Sequence, residues 1–276
     1  MRTPGKMVNV SQQNKLIVAV PSSRLSESMK FMMDKYTTVG IEMLWLKHVK
    51  SNSKRTFSMV ELNEESPQLR VVHCQTSDRH AEGFFFQGVI FSGHSGWVLR
   101  LDDDEIVSLE MLHEIINQLN TLNPRIAYSL PRIWIRKRES VWHQSSMAKP
   151  SQGDYDKQIR LFHTDFATAD TKLHTPGYKF KKSRDLKCGL NIIHLIWEIE
   201  NLESRANKIN NYESLEAGAG IGKLRYYLPE VFPDDRHKWK QLENQCEIDT
   251  LDAWAKIFNP NINRISTPIK RKEFDN

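Results

Sequence analysis

Four carboxylates stand in a row at Asp102, Asp103, Asp104 and Glu105, directly after the apolar-rich run from Trp97 to Leu101. Adjacent carboxylates repel and raise one another's pKa unless a cation sits among them. Oxygen-only donors suit Mg²⁺ or Mn²⁺, hard cations that keep water ligands and share substrate phosphates. In an open α/β sheet, ligands bind outside the carboxyl ends of the strands. An acidic turn at a strand end therefore reads in two ways. It is a metal and phosphate site, or it is a solvated turn whose negative charge favours the helix that starts after Ser108.

A second set of candidates lies between Ile192 and Tyr212. Ile192, Leu195, Ile196, Ile199, Leu202, Ala206 and Ile209 recur at helical spacing, which predicts one long helix with an apolar stripe. His194, Glu198, Asn201, Arg205, Lys208 and Tyr212 would share a narrow polar band on that helix. The band is either a solvated face with pairs such as His194–Glu198 or a ligand-facing edge. Basic clusters occur at Arg132, Arg136, Lys137 and Arg138, at Lys179, Lys181, Lys182, Arg184 and Lys187, and at Lys270, Arg271 and Lys272. Trp134, Trp142, Tyr178 and Phe180 lie among the first two, and aromatic rings stack on bases and sugars.

The elements that must position these groups alternate between strand and helix. The spacing predicts strands at 15–20, 41–47, 69–74 and 97–101. Helices are expected from Ser26 to about Tyr36, from Arg79 to Phe91, and after Ser108. The stretch 50–66 reads as a polar loop. This order argues for an α/β domain with a mostly parallel central sheet and helices on both faces. Further on, strands are expected around Ile133–Trp134–Ile135 and at 158–162, and 178–187 reads as a basic loop. From Gly218 the pattern weakens. The run from Gly218 to Gly222 has no preceding strand and the wrong spacing for a dinucleotide fingerprint, so it reads as a flexible loop and candidate lid.

Composition excludes several classes. The chain has 276 residues, and the longest candidate for a membrane span, Leu190 to Trp197, is broken by His194, so no span of the ~18 residues required is expected. Cys74, Cys188 and Cys246 are far apart and odd in number. That excludes a disulfide scaffold and any CxxC site and favours a cytoplasmic setting, the host's if the chain is viral. The net charge of +5 is compatible with binding phosphates, nucleic acid or an anionic surface and specifies none of them.

The segment Gly96 to Glu105 resembles the strand followed by Asp-x-Asp-Glu of family 2 glycosyltransferases with the GT-A fold. The small polar loop Val20–Pro21–Ser22–Ser23–Arg24 is similar to the nucleotide loop of that family. Asp156 to Phe162 looks like its D-x-Q-x-R-L-F strand, and Lys172 to Pro176 like its short His-containing strand. His194, Arg205, Lys208 and Tyr212 follow the pattern of its C-terminal helix.

The resemblance implies a single GT-A-like, Rossmann-related domain over 15–258, with a nucleotide-sugar half at about 15–120 and an acceptor half at about 121–258. A flexible 1–14 and a polar tail at 259–276 would flank it. It implies a metal-dependent glycosyltransferase that moves a sugar from a nucleotide sugar, UDP-linked, to an acceptor hydroxyl. Mn²⁺ or Mg²⁺ would sit on Asp102, Asp104, His174 and His194. Pro21, Arg24, Arg79, Asp102, Arg205 and Lys208 would contact the donor. Relatives often place the catalytic base directly after the His of the short strand, where this chain has Thr175. Asp170, just before that strand, is the residue chosen as base, with Asp154, Asp156 and Asp165 as alternatives. The expected acceptor is a glycan, a lipid-linked glycan such as lipopolysaccharide, or DNA with hydroxymethylated bases. Two rivals remain: a nucleotidyl- or phospho-transferase using the same acidic turn, and a non-enzymatic nucleic-acid-binding protein.

Overall fold

The computed structural model describes residues 15–52, 55–60, 68–77, 80–145, 156–173, 175–229, 231 and 239–257. The chain divides into two compact units that interleave along the sequence. The first contains residues 1–103, 109–130 and 158–189, and the second contains residues 104–108, 131–157 and 190–276. Elements are numbered in chain order across both.

The first unit is a mixed sheet with a parallel centre. Strand β1 (Leu16–Ser22) is buried along its whole length, as expected of a β-branched run with a neighbour on each edge. It pairs in parallel with β2 (Glu42–Lys50) on one side and β5 (Trp97–Arg100) on the other, and β2 pairs in parallel with β4 (Leu69–Thr76). Two strands flanking this centre run the other way. β3 (Thr56–Val60) is antiparallel to β4, and β9 (Asp156–His163) is antiparallel to β5. The sheet is thus mixed rather than mostly parallel. One outer strand, β3, falls where the sequence reads as loop, because its polar and apolar residues do not alternate cleanly.

Helix α1 (Glu27–Thr37) starts at Ser26, whose side chain accepts from the amide of Met29. That cap satisfies one of the orphan donors of the first turn. Helix α2 (Phe85–Phe91) is shorter than expected and follows a 3₁₀ turn at Ala81–Gly83. Phe84 and Phe85 are buried in the core with Leu46, Val72, Cys74 and Phe162. Gly88 lets this helix come close to the sheet. A Cβ there would meet Leu46 Cδ2 at 3.0 Å and Cys74 Sγ at 3.2 Å. Helix α3 (Leu109–Gln118) buries Met111, Leu112 and Ile115. The expected loop at 178–187 instead contains β11 (Tyr178–Lys179), paired with β10 (Thr168–Ala169), and β12 (Ser183–Asp185). β12 runs parallel to the first residues of β7 (Ala127–Arg138), which then continues into the second unit.

In the second unit, β7 pairs with β8 (Val141–Ser145), and β8 pairs with β14 (Lys240–Gln241). The long helix expected over 192–212 is not one helix. Ile192–His194 is strand β13, parallel to β7 and antiparallel to β6 (Glu105–Ile106). A single turn, α4 (Ile196–Ile199), follows. The chain is extended at Glu200 and re-enters helix as α5 (Leu202–Leu215), with Asn201 as N-cap accepting from Ser204. Two features override the apolar period. Consecutive β-branched Ile192 and Ile193 favour a strand, and Asn201 favours a helix start over a helix interior. The sequence also missed α6 (Leu224–Tyr227) and the 13-residue α7 (Gln245–Ile257). Ile196, Ile209, Tyr227, Leu228 and Trp134 form one buried apolar cluster of this unit.

Candidate functional site

Each member of the acidic turn has a partner supplied by the protein. In the first unit, Asp102 lies two residues past the end of β5. It accepts from Arg160 at 2.6 Å and from Arg100 at 3.1 Å. Both arginines are 4% exposed, whereas the Asp102 side chain is 33% exposed. The two guanidiniums come from neighbouring strands, β5 and β9, whose antiparallel register brings them to one place. Arg100 also lies over the Phe85 ring at 5.0 Å and donates to the Thr175 carbonyl at 3.3 Å.

Asp103 meets the end of β1. Ser22 donates to its Oδ2 at 2.6 Å, and Ser26 donates to its carbonyl at 2.6 Å. The indole of Trp45, on β2, donates to the Ser22 carbonyl at 3.1 Å. Hydrogen bonds thus tie the carboxyl end of β1 to the turn after β5, and the mid-strand Trp45 of β2 reaches the same β1 end. Pro21 and Ser22 belong to β1 itself rather than to a loop, and Arg24 is exposed beyond it.

In the second unit, Asp104 is 3% exposed. Its carbonyl accepts from the amide of Leu195 at 2.8 Å, and the β6–β13 register sets His194 opposite Glu105. This brings His194 Nε2 to 3.2 Å from Asp104 Oδ1, a close electrostatic contact without hydrogen-bond alignment. Lys208, on α5, donates to Oδ2 at 3.1 Å. The His194 ring stands edge-on to Trp134, with centroids 4.2 Å apart. Burial pushes the Asp104 carboxyl up, but Lys208 and then His194 outweigh it and hold it well below the usual carboxylate range. Burial likewise pushes Lys208 down, and Asp104 reverses the sign and holds the ammonium well above its ordinary value. Glu105 is fully buried and accepts from Arg132 at 3.0 Å, and Arg132 also donates to Asp156 at 2.6 Å.

Guanidinium and ammonium groups supply counter-charge to Asp102, Asp104 and Glu105, and hydroxyls meet Asp103. Among the described residues no three His, Cys, Asp or Glu side chains gather to hold a metal ion. Asp104 and His194 face each other, but the second Asp104 oxygen is taken by an ammonium. The donor set around Asp104 therefore does not fit a divalent cation.

The remaining expected site residues are dispersed. His174 and Arg79 lie outside the described residues, as does Asp154. Arg205 is 5% exposed and donates to the Tyr227 carbonyl at 2.8 Å, which is a packing role. Asp170 is buried, accepts from the Lys172 amide at 3.3 Å and lies 3.7 Å from Lys179. Trp134, Trp142 and Tyr178 are buried, so they are not stacking platforms, and Tyr178 packs on Phe162 at 3.8 Å. The Gly218–Gly222 segment is tied down. Gly218, Gly220 and Ile221 amides donate to the Glu213 carboxylate.

Sequence reasoning missed Arg100, Arg132 and Arg160 as members of the site. A signal existed for the first. An arginine inside an apolar strand run must find a partner, because charged groups are buried only when paired. Comparison with protein-family models and with curated proteins finds no match to this chain. No helix among the described residues is long and apolar enough to cross a membrane.

Proposed function

We propose that this chain is a GT-A-like glycosyltransferase that moves a sugar from a nucleotide sugar, UDP-linked, to an acceptor hydroxyl. The observation that carries the reading is the Ser22–Asp103 hydrogen bond at 2.6 Å. It joins the carboxyl end of β1 to the acidic turn after its parallel neighbour β5, the edge of an α/β sheet at which ligands bind. Hydroxyls at Ser22 and Ser26, the Trp45 ring and the exposed Arg24 gather along this edge. They suit a ligand with an aromatic base and a diphosphate.

In this reading Arg24 meets negative charge on the diphosphate, and its attraction grows as the bond to the anomeric carbon breaks. The acceptor hydroxyl attacks that carbon and loses its proton to a carboxylate if configuration inverts. Asp170 remains the candidate base. An anionic acceptor, whether glycan, lipid-linked or modified DNA, is part of the same proposal. Exposed Lys179, Lys181, Lys182, Arg184 and Lys187 support it. A cytoplasmic setting is supported by the free thiols of Cys74, Cys188 and Cys246.

The test is release of nucleoside diphosphate from a panel of nucleotide sugars, run beside plain nucleoside triphosphates, each with and without Mn²⁺. Turnover of at least one nucleotide sugar is expected. Turnover of plain triphosphates alone would replace this reading with nucleotidyl transfer.

A further inference from the structure

We infer that Asp104 is not a metal ligand in this chain, and that Lys208 supplies as a built-in ammonium the positive charge that a divalent cation would bring. The inference rests on the glycosyl-transfer reading only for the expectation of a metal. All the side chains involved belong to the second unit.

A metal at Asp104 would have to bind a carboxylate whose Oδ2 already accepts from Lys208 at 3.1 Å and whose Oδ1 faces His194 Nε2 at 3.2 Å. It would sit beside a fixed ammonium, so it would meet repulsion where the existing pair meets attraction. Mg²⁺ and Mn²⁺ favour several oxygen donors in regular geometry. Here the neighbouring acid of the same unit, Glu105, is engaged by Arg132 at 3.0 Å, and Glu200 lies 3.9 Å from Lys208 itself. The ammonium is well seated. It lies over the Tyr227 ring at 5.6 Å, and the Asn201 cap and the burial of Arg205 and Ile209 fix the helix that carries it. A lysine also delivers its charge without an exchange equilibrium, so Asp104 stays neutralised whatever the metal concentration.

The test uses Mn²⁺ alone, with no donor or acceptor, so its outcome is separate from that of the transferase assay. The intensity of the free Mn²⁺ paramagnetic-resonance signal is followed as wild type and Asp104→Asn are added. The expected result is the same signal loss for both. Saturable depletion of free Mn²⁺ by wild type that D104N lacks would overturn the inference. A second measurement asks whether Lys208 is the counter-ion. Lys208→Met should lower the melting temperature, and the double variant D104N/K208M should recover much of that loss. A K208M protein as stable as wild type, or a double variant no more stable than K208M, would overturn it as well.

Discussion

Lys208 Nζ lies 3.1 Å from Asp104 Oδ2, across 104 positions of sequence, and the carboxylate it holds is 3% exposed. Removing one partner of a buried pair leaves the other charge uncompensated, at a cost of about 3 kcal/mol or more. Urea unfolding of Lys208→Met should show a loss near that size. The loss should itself depend on pH. Asp104 is depressed in the folded state, so its contribution is complete above the ordinary carboxylate value of 3.8 and is lost as pH falls below it. Lys208 is raised, so its contribution is complete below the ordinary 10.5 and is lost as pH rises above it. Wild type and K208M should therefore differ most between about pH 5 and 9 and converge towards strong acid and strong base.

His94 gives a second, separate acid limb. Its ring is buried, and Nε2 contacts the Trp97 carbonyl at 3.0 Å. Burial is the main cause that lowers its pKa, from 6.5 to about 4. The folded ring stays neutral while the unfolded ring takes a proton, so stability falls as pH drops from 6.5 towards 4. The loss at the lower end is on the order of 3 kcal/mol. His94→Gln should be less stable at neutral pH and should lack this slope. A wild-type stability that is flat across the window would remove His94 from the account.

Asn201 decides where α5 begins. Its side chain accepts from the Ser204 amide at 2.8 Å. Asn201→Ala should cost about 1 kcal/mol, and Asn201→Ser or Asp should cost much less. Equal losses in all three variants would mean that the cap hydrogen bond contributes nothing.

Cys74 should be inert in the folded protein. It is buried beneath α2, and burial raises its thiol pKa to about 12. Because the thiolate is the reactive form, a thiol reagent at neutral pH should modify Cys188 and Cys246 first. Cys74 should react only on unfolding. Fast labelling of Cys74 in the native state, read by peptide mass spectrometry, would contradict its placement.

The parallel centre of the first unit was legible because β1, β2, β4 and β5 are short apolar runs bounded by turn residues. Ser26 was legible as a cap for the same local reason. The 192–212 region was not. Its 3.6-residue apolar period is real, yet the pairing of Ile193 with Ile106 and Ile133 turns the first three residues into a strand. Such long-range pairing leaves no trace in a local pattern. His194 and Lys208 still converge on one carboxylate, although the single helix that was to align them does not exist. Arg160 and Arg100 were hidden differently. Each sits within a strand, and only the antiparallel register of β9 on β5 joins them to Asp102.

Donor binding at the β1 edge is tested most directly by calorimetric titration of the protein with UDP-sugars and other nucleotide sugars in the presence of a chelator, repeated on Ser22→Ala and Asp103→Asn. Both residues belong to the carboxyl-side edge of the first unit and are joined by the 2.6 Å hydrogen bond. Saturable binding of at least one nucleotide sugar to wild type is expected without divalent cations, weakened at least tenfold, about 1.4 kcal/mol, in each variant. Absence of binding to every nucleotide sugar, with or without metal, or binding that both variants leave unchanged, would contradict it.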